Sequence, residues 1–590
     1  MGASVSAKPE MLENEKGWGR SGPLAPCAVG KPMDNRPAAD PPRHPIAFAL
    51  HTTIAALMAL ALAHVLAIHH PWWAAMTVWL VAQPTRGLLV ERSAARLVGT
   101  ICGAAAGASI LLVHAYLPVT LILLAFWLAC CAGLGTIFRH FRNYGFVLAG
   151  YTAGIVVLFG LGDGHADSVL AQDRVLCTLI GIVCSMLLSF RALPSRKADA
   201  QARARNLLGR VLQRIENRQA DKEAHADASL IAEIAAFDRA IDEQSAGSIR
   251  GRADARRLRH ISGILLELLA LGGSRNTALD RPFAPDDPFQ RARRMARDAA
   301  AHGHVVLAGA LEDLAKALEP GRLSALGYFR FDLDRVASYR AAMRPVVALA
   351  VASAIWLAAG WQAGSMMAMT AVLFTSLFSS HDHGNHMVVQ VLLGTLAGAA
   401  MGLLVRLLLL PHAEGLLTIL VCVTPFLLVS AWLMRKTVTA KMAIDMAMTF
   451  LLTAQPGTAP VAAETAVLEA LAIVSGVVIA VAIFWLVLPS TPDVRRRLLA
   501  RRIATLTHRI ACGADEKTLA SHHETLRSAQ VQLLDVTEVE SPLFKAAQAC
   551  LAAAAESRRL KSATAREASV KASAALDALA TSNTRRKNNA

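Results

Sequence analysis

The sequence predicts an all-α polytopic membrane protein: two parallel six-helix membrane repeats with helical cytosolic domains. Three observations lead there. Of 590 residues, 54% are hydrophobic and only 18% are charged, where a soluble chain of this length carries about a quarter charged residues. Apolar runs approaching the roughly 20 residues that cross a hydrocarbon core recur about twelve times. Finally, the stripe Gly99, Gly103, Gly107 returns as Gly394, Gly398, Gly402, each pair separated by 295 residues.

Residues 1–43 hold Pro, Gly, Ser and scattered charge without apolar periodicity, which predicts a disordered cytosolic tail without a cleavable signal peptide. The first membrane repeat, 44–194, offers runs at 46–68, 94–115, 117–138, 144–161 and 169–190, with a short piece at 72–83. Residues 195–343 are rich in Ala, Arg, Leu and Glu and place apolar residues at helical spacing, as in Leu207, Leu208, Val211, Leu212 and Ile215. That pattern predicts an amphipathic helical domain. The second repeat, 344–489, offers 345–359, a short piece at 363–379, then 387–410, 416–434, 442–453 and 465–488. Residues 490–590 repeat the amphipathic pattern.

Orientation follows from the basic residues. Loops 69–71, 160–168, 411–415 and 454–464 contain no Lys or Arg, whereas the opposite loops carry Arg86, Arg92, Arg139, Arg142, Arg196, Lys197, Arg340, Arg344, Arg435 and Lys436. The asymmetry predicts both termini and the middle domain on the cytosolic side. Trp72, Trp73 and Trp361 fall at the outer boundaries and Trp432 and Trp485 near the inner ones, where amphipathic rings sit at headgroup level. The excess of 60 Lys and Arg over 44 Asp and Glu lies beside apolar runs and is read as a match to anionic lipid, not to nucleic acid. An even number of crossings per half makes the repeats parallel, related by an axis along the membrane normal.

Several residues are candidates for function. The glycine stripes let a neighbouring helix approach closely and are read as packing surfaces that could also slide. Paired short segments in corresponding positions of two halves point to a transporter's central site, which puts Trp73, Gln83, Gln362 and Thr370 near a substrate path. Re-entrant packing with Trp anchors is the alternative. Ionisable residues inside spans cost a few kcal/mol at the bilayer centre and face partners or water. Here they are His51, His64, Asp173, Arg174, Arg406, Asp445 and Glu469. Arg174 and Glu469 differ by the same 295 residues, suggesting facing charges across the axis; pairing of Arg174 with Asp173 is the alternative. Asp445 follows Lys441 by one helical turn and is a candidate proton carrier, or else the partner of Lys441 or Arg435. The stretch from His381 to His386 has clustered imidazoles without a cysteine and is read as a polar turn, so no metal, cofactor or catalytic set is expected.

Trp72-Trp-Ala-Ala-Met-Thr-Val-Trp-Leu-Val-Ala-Gln-Pro-Thr-Arg-Gly, then Arg96-Leu-Val-Gly-Thr-Ile-Cys-Gly-Ala and Arg142-Asn-Tyr-Gly-Phe-Val-Leu-Ala-Gly-Tyr-Thr-Ala, resemble the fusaric acid resistance family of aromatic acid exporters. The resemblance covers 46–194 and 344–489; the second half diverges further and lacks the Gln-Pro pair. It implies a bacterial inner-membrane protein that exports aromatic carboxylic acids or similar hydrophobic weak acids on the proton gradient. It also implies a periplasmic adaptor, or membrane fusion, protein and an outer-membrane channel as partners, and a homo-oligomer is compatible with it. The family also resembles plant anion channels, leaving passive conduction open, and a non-transporting scaffold is the third reading.

Overall fold

The computed structural model describes residues 45–83, 85–136, 141–162, 168–192, 197–216, 224–245, 249–272, 288–319, 335–378, 384–436, 439–486, 492–513 and 515–588. The tail expected over 1–43, the basic residues Arg139 and Arg196, and the His381, Asp382 and His383 cluster lie outside these residues.

In the first half the chain forms α1 (Pro45–Val65), α2 (Trp72–Val81), α3 (Arg86–Leu111), α4 (Leu117–Gly135), α5 (Phe141–Gly162) and α6 (Ser168–Ala192). Five further helices follow: α7 (Lys197–Glu216), α8 (Ala224–Ser245), α9 (Ile249–Gly272), α10 (Pro288–Ala301) and α11 (Val305–Leu318). The second half gives α12 (Arg335–Ala359), α13 (Gly364–Phe378), α14 (Gly384–Leu404), α15 (Leu416–Leu433), α16 (Ala440–Ala454) and α17 (Ala463–Leu486). The chain closes with α18 (Pro492–Cys512), α19 (Glu516–Leu534), α20 (Pro542–Leu560) and α21 (Ala563–Asn588).

Each of the expected spans is a helix, but among the described residues nine are long and apolar enough to cross a membrane. The other three, α2, α13 and α16, are shorter, at 10, 15 and 15 residues. All ten residues of α2 are buried, as is α13 from Gly364 to Val372. A helix sheathed by other helices does not need to match the bilayer, because its free backbone groups end inside protein.

The glycine stripes explain how the sheath closes. A Cβ on Gly99 or Gly103 would lie 2.5 Å from the carbonyl oxygen of Gly145 or Ala149 on α5, and one on Gly398 would lie 2.5 Å from that of Met446 on α16. Only glycine admits such backbone approach. Gly181 of α6 meets Thr77 of α2 in the same way, and Gly476 of α17 meets Thr370 of α13.

Contacts between the halves come in reciprocal pairs: α1 with α15 and α12 with α4, α2 with α16 and α13 with α5. If α1 to α6 correspond to α12 to α17, each contact is the image of its partner, as in an isologous dimer made within one chain. One apolar core runs through both halves, from Ala49 to Ile483. A second, separate core joins α7 to α11 with α18 to α21, from Leu207 to Ala580.

Within that second core, Glu267 of α9 is fully buried and accepts hydrogen bonds from Arg527 of α19 and, at 2.7 Å, from Arg559 of α20. Both arginines also reach Asp313 of α11, at 3.3 and 2.9 Å. Burial alone would raise the Glu267 carboxyl, but Arg527, His523 and Arg559 outweigh it and hold the group well below the usual carboxylate range. His523 lies 3.7 Å from Glu267. Burial pushes its imidazole down to about 3, so at neutral pH this contact is not an ion pair.

Candidate functional site

The close packing of α3 on α5 carries Arg96 into the bundle, where the residue is buried. Its Nη1 donates to Tyr144 Oη at 3.1 Å and to Tyr151 Oη at 3.2 Å, and its Nη2 donates to Thr77 Oγ1 at 3.4 Å. The two tyrosines, seven residues apart on α5, share one helix face. Thr77 in turn donates to the Trp73 carbonyl one turn back along α2, at 2.9 Å.

A second buried cation sits against the same short helix. The Arg174 guanidinium of α6 lies 4.4 Å over the Trp73 ring, close enough to feel the like charge of Arg96 and the phenol of Tyr151. Its Nε has no hydrogen-bond partner among the described residues. Trp73 also has aromatic neighbours: His70 stacks on it at 4.6 Å and Phe159 meets it edge-on at 5.8 Å. Asp173 points away from its neighbour and engages His69 Nδ1 at 3.2 Å and His70 Nδ1 at 3.4 Å. Among the described residues, neither Arg96 nor Arg174 is paired with a carboxylate. Two guanidinium ions held in a protein core without counter-charge form a site that favours an anion.

The second half carries two further acids, Asp445 and Glu469. Asp445 of α16 is buried and accepts a hydrogen bond from Thr395 Oγ1 at 2.8 Å, beside Gly394. Its hydrogen-bond partner is thus a threonine of α14 and not Lys441 or Arg435. Past α14 the chain makes a π-helical turn over Val405–Leu409, which directs Arg406 inward to Glu469 at 2.6 Å, to Gln455 Oε1 at 3.2 Å and to the Thr453 carbonyl at 3.2 Å. Such turns are frequent at functional sites.

Several expectations are corrected here. Arg174 and Glu469 are not paired: Glu469 is held by Arg406, and Arg174 lies over Trp73. The alternative pairing of Arg174 with Asp173 is not formed either, because the two imidazoles take the carboxylate. Trp72 and Trp73 are buried in the core and are not headgroup anchors, whereas Trp432 and Trp485 are exposed. Trp73 lies at the centre of the cationic cluster, but the other three residues assigned to a substrate path do not converge on it. Gln83 folds back on the Ala82 carbonyl, Gln362 is exposed in the turn before α13, and Thr370 packs under Gly476.

Sequence reasoning missed Arg96, Tyr144, Tyr151 and Thr77 as a unit. A signal was present: Tyr144 and Tyr151 are two of only five tyrosines, and the 295-residue offset places Val391 opposite Arg96. A charge without a repeat counterpart marks a position where the two halves differ in task.

The model of the family described as "Fusaric acid resistance protein family" matches residues 45–320 and again 304–589. Among curated proteins, the p-hydroxybenzoic acid efflux pump subunit AaeB of Edwardsiella ictaluri (strain 93-146) is 26% identical over 426 residues, 63% of this chain and 66% of that protein. AaeB of Edwardsiella tarda (strain FL6-60) is 26% identical over the same length. Escherichia coli (strain K12) has an uncharacterized transporter, YdhK, that is 32% identical over 171 residues, 28% of this chain and 25% of that one. The chain thus spans just under two thirds of the length of the first of these relatives, 66%. No solved structure matches it significantly.

Proposed function

Because the chain belongs to the fusaric acid resistance protein family, we propose that it is an efflux transporter that moves aromatic carboxylates out across the bacterial inner membrane. The observation that carries the proposal is the pair of buried guanidinium groups of Arg96 and Arg174, free of carboxylate partners among the described residues, near Trp73, His70 and Phe159. A substrate carboxylate meets the two cations. It draws Arg174 off Trp73, so that the substrate ring replaces the guanidinium against the indole. The efflux pump subunits named above carry p-hydroxybenzoic acid in their name, a compound with both features.

In this proposal Asp445 carries the coupling proton, and the Arg406–Glu469–Gln455 cluster gates the opposite end of the second half. Membrane repeats 44–194 and 344–489 rock about their shared axis, domains 195–343 and 490–590 remain cytosolic with both termini, and a periplasmic adaptor with an outer-membrane channel receives the substrate. The same uncompensated cations would suit an anion channel, and one experiment separates the readings. In proteoliposomes of the full chain with an imposed pH gradient, labelled 4-hydroxybenzoate accumulates above its equilibrium distribution if the protein is a coupled pump. Flux that only equilibrates the anion supports the channel, and flux no greater than in protein-free liposomes defeats both.

A further inference from the structure

The two reciprocal seams between the halves differ. At the seam of α4 with α12, a Cβ on Gly133 would lie 3.6 Å from Ala342 Cβ, and Thr136 Oγ1 meets Ser338 Oγ at 2.5 Å. That seam is sealed by small residues and a hydrogen bond. The counterpart seam of α1 with α15 opens as a groove of about 350 Å³. Its walls are apolar, with Leu50, Leu428, Val429 and Trp432 exposed along it and Ala49 and Ala431 buried at its floor. In a membrane these exposed side chains face hydrocarbon, so the groove is open to lipid.

Among the described residues, one charged residue lines the groove. Arg435 follows α15 at the end of the bundle that carries the basic loops, stacks 5.1 Å over the Trp432 ring, and keeps a buried Nε without a hydrogen-bond partner among the described residues. A slot with apolar walls and a single cation at its rim complements a small amphiphile with an apolar ring and one negative charge. Such a molecule, dissolved in a bilayer, places its ring among the acyl chains and its carboxylate at the headgroups, the arrangement of Trp432 and Arg435.

We propose that the α1–α15 groove is a lateral port that takes an aromatic carboxylate from the inner leaflet, its ring against Trp432 and its carboxylate on Arg435. The port rests on the efflux reading for its purpose, since α1 also packs against α2, the helix of Trp73 and Thr77. Capture from lipid would let the protein collect a weak acid where it concentrates.

The test uses the full chain in phosphatidylcholine proteoliposomes and a diazirine-bearing benzoate as photoprobe. Labelling is expected on the segments around Leu50 and around Leu428 to Trp432, displaced by excess 4-hydroxybenzoate. It should fall by at least about tenfold in Arg435→Gln, the loss of a charge-assisted hydrogen bond, and in the groove-filling Leu50→Trp, with unfolding temperatures checked for both. Labelling elsewhere, equal labelling by the uncharged benzamide probe, or labelling unchanged in both variants would overturn the port. So would displacement by phosphatidylglycerol but not by 4-hydroxybenzoate, which makes the groove a lipid site, or labelling that needs residues 1–44 removed, which makes their tail its occupant. Labelling of the groove by a protein that does not transport 4-hydroxybenzoate would sink the efflux reading and leave the port standing.

Discussion

At the scale of the residue, the proposed chemistry rests on charges that the duplication does not copy. Arg96 occupies the place of Val391, and Asp445 that of Leu148, by way of the 297-residue offset that relates α5 to α16 through Gly103 over Ala149 and Gly398 over Met446. Asp445→Asn is expected to abolish accumulation driven by the pH gradient while 4-hydroxybenzoate still exchanges across the membrane; counterflow in proteoliposomes measures the difference. A second prediction concerns the core that joins α7 to α11 with α18 to α21. The folded-state imidazole of His523 titrates far below an ordinary 6.5, at about 3, so its contribution is fully present above pH 6.5 and is lost as pH falls toward 3. Glu267, also depressed, acts in the same direction at the acid end. Hydrogen exchange of α9 and α19, corrected for intrinsic rates, should therefore quicken between pH 7 and pH 4, and His523→Leu should flatten that window. Asp445 was visible in the sequence as an acid inside a span, but its threonine partner was not. A hydrogen bond between residues 50 positions apart depends on which helices touch, and no local pattern encodes that.

At the scale of the element, glycine decides which helices touch. Gly103→Ala or Gly398→Ala pushes a methyl group against a backbone carbonyl that cannot yield, and each should lower stability by about 1–3 kcal/mol. Gly209→Ala on α7 meets nothing within 4 Å and should be neutral or stabilising by up to about 1 kcal/mol. Unfolding of the detergent-solubilised protein, followed by circular dichroism, ranks the three. The stripes were legible because a repeat of small residues at helical spacing has few other uses, and the long spans were legible because their apolar length exceeds that of a soluble helix. The depth of α2 was not. Trp72 and Trp73 at the edge of an apolar run look the same whether they face headgroups or a protein core, and burial by the neighbouring helices settled the matter.

At the scale of the whole molecule, two homologous bundles enclose two short helices, and Arg96 lies where the first of them, α2, meets its sheath. The repeat, the helical character of 195–343 and 490–590 and the family resemblance could be read from the sequence, whereas the pairing of Arg406 with Glu469 rested on a π turn that no offset foretells. The account stands on the buried cations of the first half being the seat of the anion. Equilibrium binding of 4-hydroxybenzoate to the purified full chain, compared with 4-hydroxybenzamide and with the Arg96→Gln protein, tests it directly. The account predicts that the native chain binds the acid and not the amide, and that Arg96→Gln weakens the acid by at least about tenfold while the protein keeps its fold. Equal affinity for acid and amide, or an unchanged affinity in Arg96→Gln, would contradict it.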